Sequence, residues 1–318
     1  PYQIFLLNNW SIMIIILGDV FMYMFLLILV VIYVLLQFSC FKKEKKARKI
    51  FRNGSFPLIF AHRGSSHLFP ENTELAFLKS FELGVDAFET DIRLTKDGRI
   101  VTQHNEDIDE TTDGTGKVID YAYDELKEFN FGYKFKNING DFPYAENRVN
   151  GLYPMEVSAL FEKFRDDVVY SIDIKDDGEV GLKSTELLYK FVKEYNLEKN
   201  VIFSSFNEEN LKHLRKISKG EIIISGSMQK TTEVVLASYF GYDSFKKFNT
   251  HAMMLPRFEK LPLDTKYLIY KFHKHNIAVC YWTINTEKDM RKLINKKVDG
   301  IITDRVDLLL KIKEEKSN

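Results

Sequence analysis

A chain of 318 residues, 45% hydrophobic and 28% charged, can bury one large core or two small ones, which excludes a disordered or low-complexity protein. Its 45 basic and 45 acidic residues cancel. Two cysteines, Cys40 and Cys280, leave no material for a disulfide framework or a cysteine-based metal centre.

Residues 1–11 read as a short N-terminal tail. Residues 12–36 carry one charge, Asp19, in a run that as a helix crosses roughly 30 Å of hydrocarbon. No Lys or Arg precedes the run, so it reads as a signal anchor spanning residues 12–38 and not as a cleaved leader. Residues 39–55 form a basic linker in which seven Lys and Arg face Glu44 alone. Such a collar holds the following domain on the cytoplasmic side and attracts anionic head groups. Because it abuts a membrane span, it needs no nucleic acid to explain it. Cys40, at the membrane edge, is an interfacial residue open to acylation.

From residue 56 to 312, apolar runs alternate with amphipathic segments of helical period. The runs are PLIFAHRG, DAFETDIRL, RIVTQH, VVYSIDIK, VIFSSF, EIIISGS, IAVCYWTIN and VDGIITDR. Alternation of this kind predicts a parallel sheet, and polar residues gathered at the C-terminal ends of the runs suit a (β/α)₈ barrel of the TIM type. RIVTQH reads equally as a barrel strand or as the return of a hairpin, since TKDG before it is a turn signal. Residues 105–153 read as a loop insertion. Residues 231–258, rich in aromatics and Met, read as a helix on the barrel or as a surface for lipid or an acyl chain. Residues 313–318 are left as a tail.

His62 is delivered off the first strand, and Arg63 follows it with a forked cation suited to phosphate. Glu89 and Asp91 stand two apart, so their carboxylates share one side of a strand. A divalent ion such as Mg²⁺ or Ca²⁺ resolves such a pair. His104 ends the third run and converges on the same mouth. Asp173 and Lys175 repeat the spacing on a buried strand, where a salt bridge or a metal-plus-phosphate role would satisfy them. Three carboxylates, two cations and two imidazoles fit phosphodiester cleavage, in which phosphoryl charge is neutralised while one oxygen loses a proton and another gains one. No dinucleotide or P-loop glycine motif and no G-x-S-x-G elbow occurs.

With HRG, PENT (70–73), ETD (89–91), TKDG (95–98), VTQH, TTDGTG (111–116), IDIK (172–175), YWTIN (281–285) and GIITD (300–304) in this order, the chain resembles the glycerophosphodiester phosphodiesterase family. That resemblance implies a TIM-type barrel in which Glu89, Asp91 and Asp173 hold one metal ion, Mg²⁺ or Ca²⁺. It implies acid and base roles for His62 and His104, and phosphate binding by Arg63 and Lys175. Glu71 would brace this shell and Trp282 line the pocket. Two positions depart from the family pattern: Asn105 stands where Asp usually follows the second histidine, and Asp173 where Glu is frequent. The N-terminal span, the IDIK form and the aromatic segment look similar to the membrane-bound branch that acts on lysophospholipids as a lysophospholipase D.

The expected substrate is therefore a phospholipid or glycerophosphodiester at a membrane. The alternatives are hydrolysis of water-soluble glycerophosphodiesters and a catalytically silent, membrane-tethered lipid-binding barrel. His67, His213, His251, His273 and His275 receive no role, and Thr283 and Asn285 are candidates for hydrogen bonds at the barrel mouth.

Overall fold

A computed structural model of the chain describes residues 17–34, 56–240, 250–256 and 262–317. Helix α1, Leu17–Val34, has a mean hydropathy of 2.4 and none of it is buried. At 1.5 Å per residue it is about 27 Å long, long enough to cross a membrane. The basic collar, Cys40 and the flanks of the expected span lie outside the described residues.

The body of the protein is a ring of eight parallel strands. In chain order they are β1 (Leu58–His62), β2 (Ala87–Leu94), β4 (Val169–Ile174), β5 (Val201–Ser204), β6 (Ile223–Ile224), β7 (Ala252–Pro256), β8 (Ala278–Trp282) and β9 (Gly300–Thr303). They pair in the order β6-β5-β4-β2-β1-β9-β8-β7. The end strands meet through one parallel bridge, Ser225 to Ala252, with hydrogen bonds from His251 N to Ile224 O (2.9 Å) and Gly226 N to Ala252 O (3.2 Å). The TIM-type fold expected from the sequence is therefore the observed one, with two changes in its strand list. The RIVTQH run is not a barrel strand: β3 (Ile100–Thr102) returns antiparallel along β2, with Leu94 opposite Ile100. The missing barrel strand is β7, inside the segment read as a helix or lipid surface.

Strand alternation sorts the side chains. Outward-facing Phe88 and Tyr170 meet the helices, with Phe88 edge-on to Phe77 and Phe164 at 5.2 and 5.0 Å. Inward-facing residues change character along each strand. On β1 the inward column is Leu58, Phe60, His62; on β2 it is Ala87, Glu89, Asp91; on β4 it is Val169, Ser171, Asp173. The lower members form an apolar plug with Ile202, Cys280 and Ile302. Gly300 completes the plug, because an added Cβ there would stand 2.6 Å from Cys280 Sγ. The upper members carry the polar site.

Helices α2 (Glu74–Glu82), α4 (Val157–Phe164), α5 (Gly178–Glu194), α6 (Glu208–Ser218), α7 (Met228–Tyr239), α8 (Lys266–Lys274), α9 (Glu287–Asn295) and α10 (Val306–Ser317) cover the ring. Residues 313–317, set apart above as a tail, are the last turn of α10. The insertion after β3 contains a short helix α3 (Tyr123–Leu126) and its own small core of Val101, Ile108, Val118, Tyr123, Leu126 and Phe131. It is a built platform on the hairpin and not a loose loop. On α1, the Tyr33 hydroxyl donates to the Tyr239 carbonyl at 3.0 Å.

Candidate active site

Cross-strand register assembles the site in two rungs. His62, Glu89 and Ser171 are neighbours across β1, β2 and β4, and one level higher Asp91, Asp173 and Ser204 are neighbours across β2, β4 and β5. The two-residue spacings Glu89/Asp91 and Asp173/Lys175 are thus successive inward positions of adjacent strands. All of these side chains, with Arg63, His104 and Trp282, line one cavity of about 140 Å³.

The turn after β1 takes three successive left-handed residues, Arg63, Gly64 and Ser65. At Gly64 an added Cβ would lie 2.7 Å from Ala76 Cβ, so helix α2 packs against the glycine itself. The PENT loop follows, and each of its last three residues has a task. Glu71 accepts two hydrogen bonds from Arg63 Nη1 at 3.1 and 3.3 Å. Asn72 accepts from Thr90 and donates to Asp91 Oδ2 at 3.4 Å. Thr73 caps α2 by accepting from Ala76 N.

His62 donates through Nδ1 to Asp304 Oδ1 at 2.6 Å, which turns Nε2 toward Glu89 Oε2, 3.7 Å away. Asp304 also accepts from Ser66 Oγ at 2.5 Å and Asn285 Nδ2 at 2.6 Å. Burial opposes ionisation of Asp304, but His62, Ser66 and Asn285 together hold it well below the usual carboxylate range. Burial likewise disfavours charge on His62, yet the charge of Glu89 and the bond to Asp304 outweigh it and raise its pKa.

His104 arrives differently. It is not at the end of a barrel strand; the β2–β3 hairpin folds it back beside Asp91, whose carbonyl accepts from Gln103 N at 2.9 Å. Arg93 Nε fixes the His104 carbonyl at 3.0 Å while Arg93 Nη1 pairs with Asp176 at 3.1 Å. The Nδ1 of His104 lies 2.5 Å from Asn105 Oδ1, and Asn105 Nδ2 donates to Glu110 at 2.5 Å. Glu110 accepts only, so it orients the amide, and the amide oxygen in turn makes Nδ1 the protonated nitrogen. Burial, then the Arg63 and Lys175 cations, lower the His104 pKa despite the charge of Asp91 and the Asn105 bond. The Asn105 departure thus supplies orientation without the negative charge that an Asp would bring.

Lys175 Nζ bridges Asp91 Oδ1 at 3.0 Å and Asp173 Oδ2 at 2.6 Å, and Arg63 Nε reaches Asp91 Oδ2 at 3.2 Å. Burial is overcome at Asp91 by these cations, which keep its pKa low. Glu89 and Asp173 go the other way: burial and carboxylate repulsion push them up to about 7 and about 6. Their outer oxygens, Glu89 Oε2 and Asp173 Oδ1, are buried without a hydrogen-bond partner. Among the described residues no three His, Cys, Asp or Glu side chains close into a finished metal cage. The donors fit a hard divalent cation all the same: they are oxygens, two of them are orphaned, and the pair is electrostatically strained.

The opposite wall is apolar. Met254 and Pro256 of β7, Trp282 of β8 and Ile302 of β9 line it, with Phe206 and Met228 at the mouth. Of residues 231–258, Thr231, Met254 and Pro256 reach the cavity; residues 241–249 and 257–258 lie outside the described residues.

Asp304, Asn72 and Phe206 were missed as site residues. Asp304 and Asn72 stand inside the GIITD and PENT blocks; Phe206 follows a plain apolar run and carries no sequence signal. Asn285, a candidate hydrogen-bonder, is one of three side chains that donate to Asp304. Among the histidines given no role, His67 lies 3.6 Å from Asp304 on the exposed rim, whereas His213 and His273 pair with Glu186 and Asp299.

Residues 62–308 match the glycerophosphoryl diester phosphodiesterase family. The chain is similar to a glycerophosphodiester phosphodiesterase of Caldanaerobacter subterraneus, 33% identical over 80% of this chain and 97% of the relative. The structure of a glycerophosphodiester phosphodiesterase from Thermotoga maritima is similar, with a TM-score of 0.58 and 26% identity over 81% of this chain and 97% of the other. An Oleispira antarctica phosphodiesterase, solved with its product sn-glycerol-3-phosphate, superposes with a TM-score of 0.63 at 19% identity, covering 81% and 97% of the two chains.

Proposed function

The chain belongs to the glycerophosphoryl diester phosphodiesterase family, and on that premise we propose that it cleaves the phosphodiester of membrane lysophospholipids by two-histidine acid/base catalysis. The observation that carries the catalytic part is the opposite perturbation of His62 and His104 around one cavity. A histidine with raised pKa holds its proton and serves as acid; one with lowered pKa is free to take a proton.

In this reading Arg63 and Lys175 hold the non-bridging phosphoryl oxygens, and Glu71 keeps the guanidinium aligned. His104 Nε2 removes the proton from the glycerol hydroxyl next to the phosphate, and the oxygen attacks phosphorus. His62 Nε2 gives its proton to the departing alcohol as the P–O bond breaks, while Asp304 keeps Nδ1 protonated. The cyclic phosphate is then opened by water, with His62 taking the water's proton and His104 returning one to the glycerol oxygen. Glu89, Asp91 and Asp173 would hold one divalent ion, Mg²⁺ or Ca²⁺, which when bound neutralises charge on the phosphoryl oxygens.

The lysophospholipid part rests on α1 and on the apolar wall facing the cations. Helix α1 supports single-pass anchoring, and the basic collar supports a cytosolic barrel. The small cavity favours a second reading, hydrolysis of water-soluble glycerophosphodiesters, in line with the glycerol phosphate product bound by the Oleispira protein.

The test is product analysis on the full chain with 1-acyl lysophosphatidylcholine and glycerophosphocholine, with and without chelator, beside a His62→Ala control. Chelator-sensitive lysophosphatidic or cyclic phosphatidic acid supports the first reading, and glycerol phosphate alone supports the second. Silence on both substrates returns the chain to a lipid-binding barrel.

A further inference from the structure

We propose that Phe206 is a specificity-determining residue that, with Met228, forms the seat for the acyl chain where it leaves the cavity. This rests on the lysophospholipid reading above. The cavity measures about 140 Å³, well under the roughly 300–1,000 Å³ that encloses a drug-sized ligand. A phosphoglycerol unit seated at the cations takes up much of so small an interior, and an acyl chain attached to it would run out over the rim.

The rim is built for that. Phe206, in the loop between β5 and α6, is 50% exposed, and Met228, the first residue of α7, is 44% exposed. Both line the cavity, so their exposed faces continue the apolar wall outward. Phe206 stands where that wall meets the phosphate side: Lys175 Nζ lies 5.0 Å from its ring centroid, and the Trp282 ring meets it edge-on at 6.4 Å. A cation on one side and an aromatic edge on the other fix the ring's orientation in the absence of burial. Apolar surface held in water beside an anion-binding cation matches one kind of ligand, an amphiphile with its anionic group against its tail. The exposed apolar helix α1 in the same chain gives access to the phase in which single-chain amphiphiles reside.

The test compares the full-length protein in detergent with its Phe206→Ala and Phe206→Leu variants. It reads kcat/KM for 1-acyl lysophosphatidylcholine and for glycerophosphocholine, and takes their ratio. Removing the ring should lower the ratio by about tenfold or more, mainly through KM for the lipid, and Leu should recover most of it. Equal losses on both substrates would mean that Phe206 acts through Lys175, and an unchanged ratio would mean that the chain passes elsewhere; either overturns the inference. If the wild-type protein turns over glycerophosphocholine but not the lysolipid, the lysophospholipid reading fails and takes this one with it. That failure is visible without any variant.

Discussion

His62 and Asp304, separated by 242 residues in the chain, meet at 2.6 Å because β9 closes against β1. The pairing fixes one imidazole nitrogen and leaves the other facing the cavity. It also couples His62 to the seam where the end of the barrel joins its beginning.

Replacing Asp304 by Asn keeps the shape and removes the charge. Activity should fall by about 100-fold, the scale of a positioned general acid. Stability gives a second readout. The raised His62 pKa stabilises below its ordinary value and is lost as pH rises through the folded value. The depressed Asp304 pKa stabilises above its ordinary value and is lost as pH falls toward the folded one. The pair therefore contributes most between about pH 4 and 6.5. Thermal melts at pH 5.5 and 8.5 should show the larger Asp304→Asn deficit at the lower pH.

Because His104 is depressed and His62 raised, kcat/KM should follow a bell with a broad top, its acidic limb lying below the ordinary histidine value. An Asn105→Asp variant places a negative charge on Nδ1 of His104. The acidic limb should then move to higher pH while the alkaline limb, set by His62, stays. A pH–rate series on both proteins reads this directly.

Glu89→Gln separates metal binding from folding. Mg²⁺ or Ca²⁺ should raise the melting temperature of the wild-type chain, by the equivalent of about 2.7 kcal/mol at a hundred times Kd. The variant should lose that shift. Without metal it should be at least as stable as wild type above pH 7, since the charge removed is one that burial, and then the neighbouring carboxylates Asp91 and Asp173, disfavour. Differential scanning calorimetry with and without chelator checks both halves.

Gly64→Ala should destabilise by about 1–3 kcal/mol, since its Cβ meets Ala76 at 2.7 Å on a left-handed backbone. Pairing it with Ala76→Gly should recover only the Cβ–Cβ part, because the Ala76 carbonyl carbon and Phe77 N still stand 3.1 and 3.3 Å from the added Cβ and glycine inside α2 adds its own cost of about 1 kcal/mol. Urea titrations of the single and double variants measure the split.

Much of the site was legible because strand period is local: E-x-D and D-x-K declare two inward positions wherever the strand lies. Ring closure is not local. Asp304 could not be joined to His62 before β9 was known to flank β1, although both stood in recognisable blocks. The β2–β3 hairpin was ambiguous for a related reason, since Ile100–Thr102 is buried and reads like a barrel strand until its direction is seen. β7 hid among aromatics and methionines because its burial inside the ring is decided by neighbours far away in sequence. Asn105 was noted for the charge it lacks; that it lies between His104 and Glu110 depends on how the loop turns.

Among the described residues, the seam between β6 and β7 is the most sparsely paired junction of the ring. Elsewhere the neighbouring strands share ladders of two to six paired residues, whereas here a single bridge joins Ser225 to Ala252. Amide protons at this junction should exchange with solvent ahead of those in β1, β2 and β4. Ser225, Gly226 and Met254 also line the cavity, so any parting there would widen the pocket on its apolar side while β1, β2 and β4 stay paired.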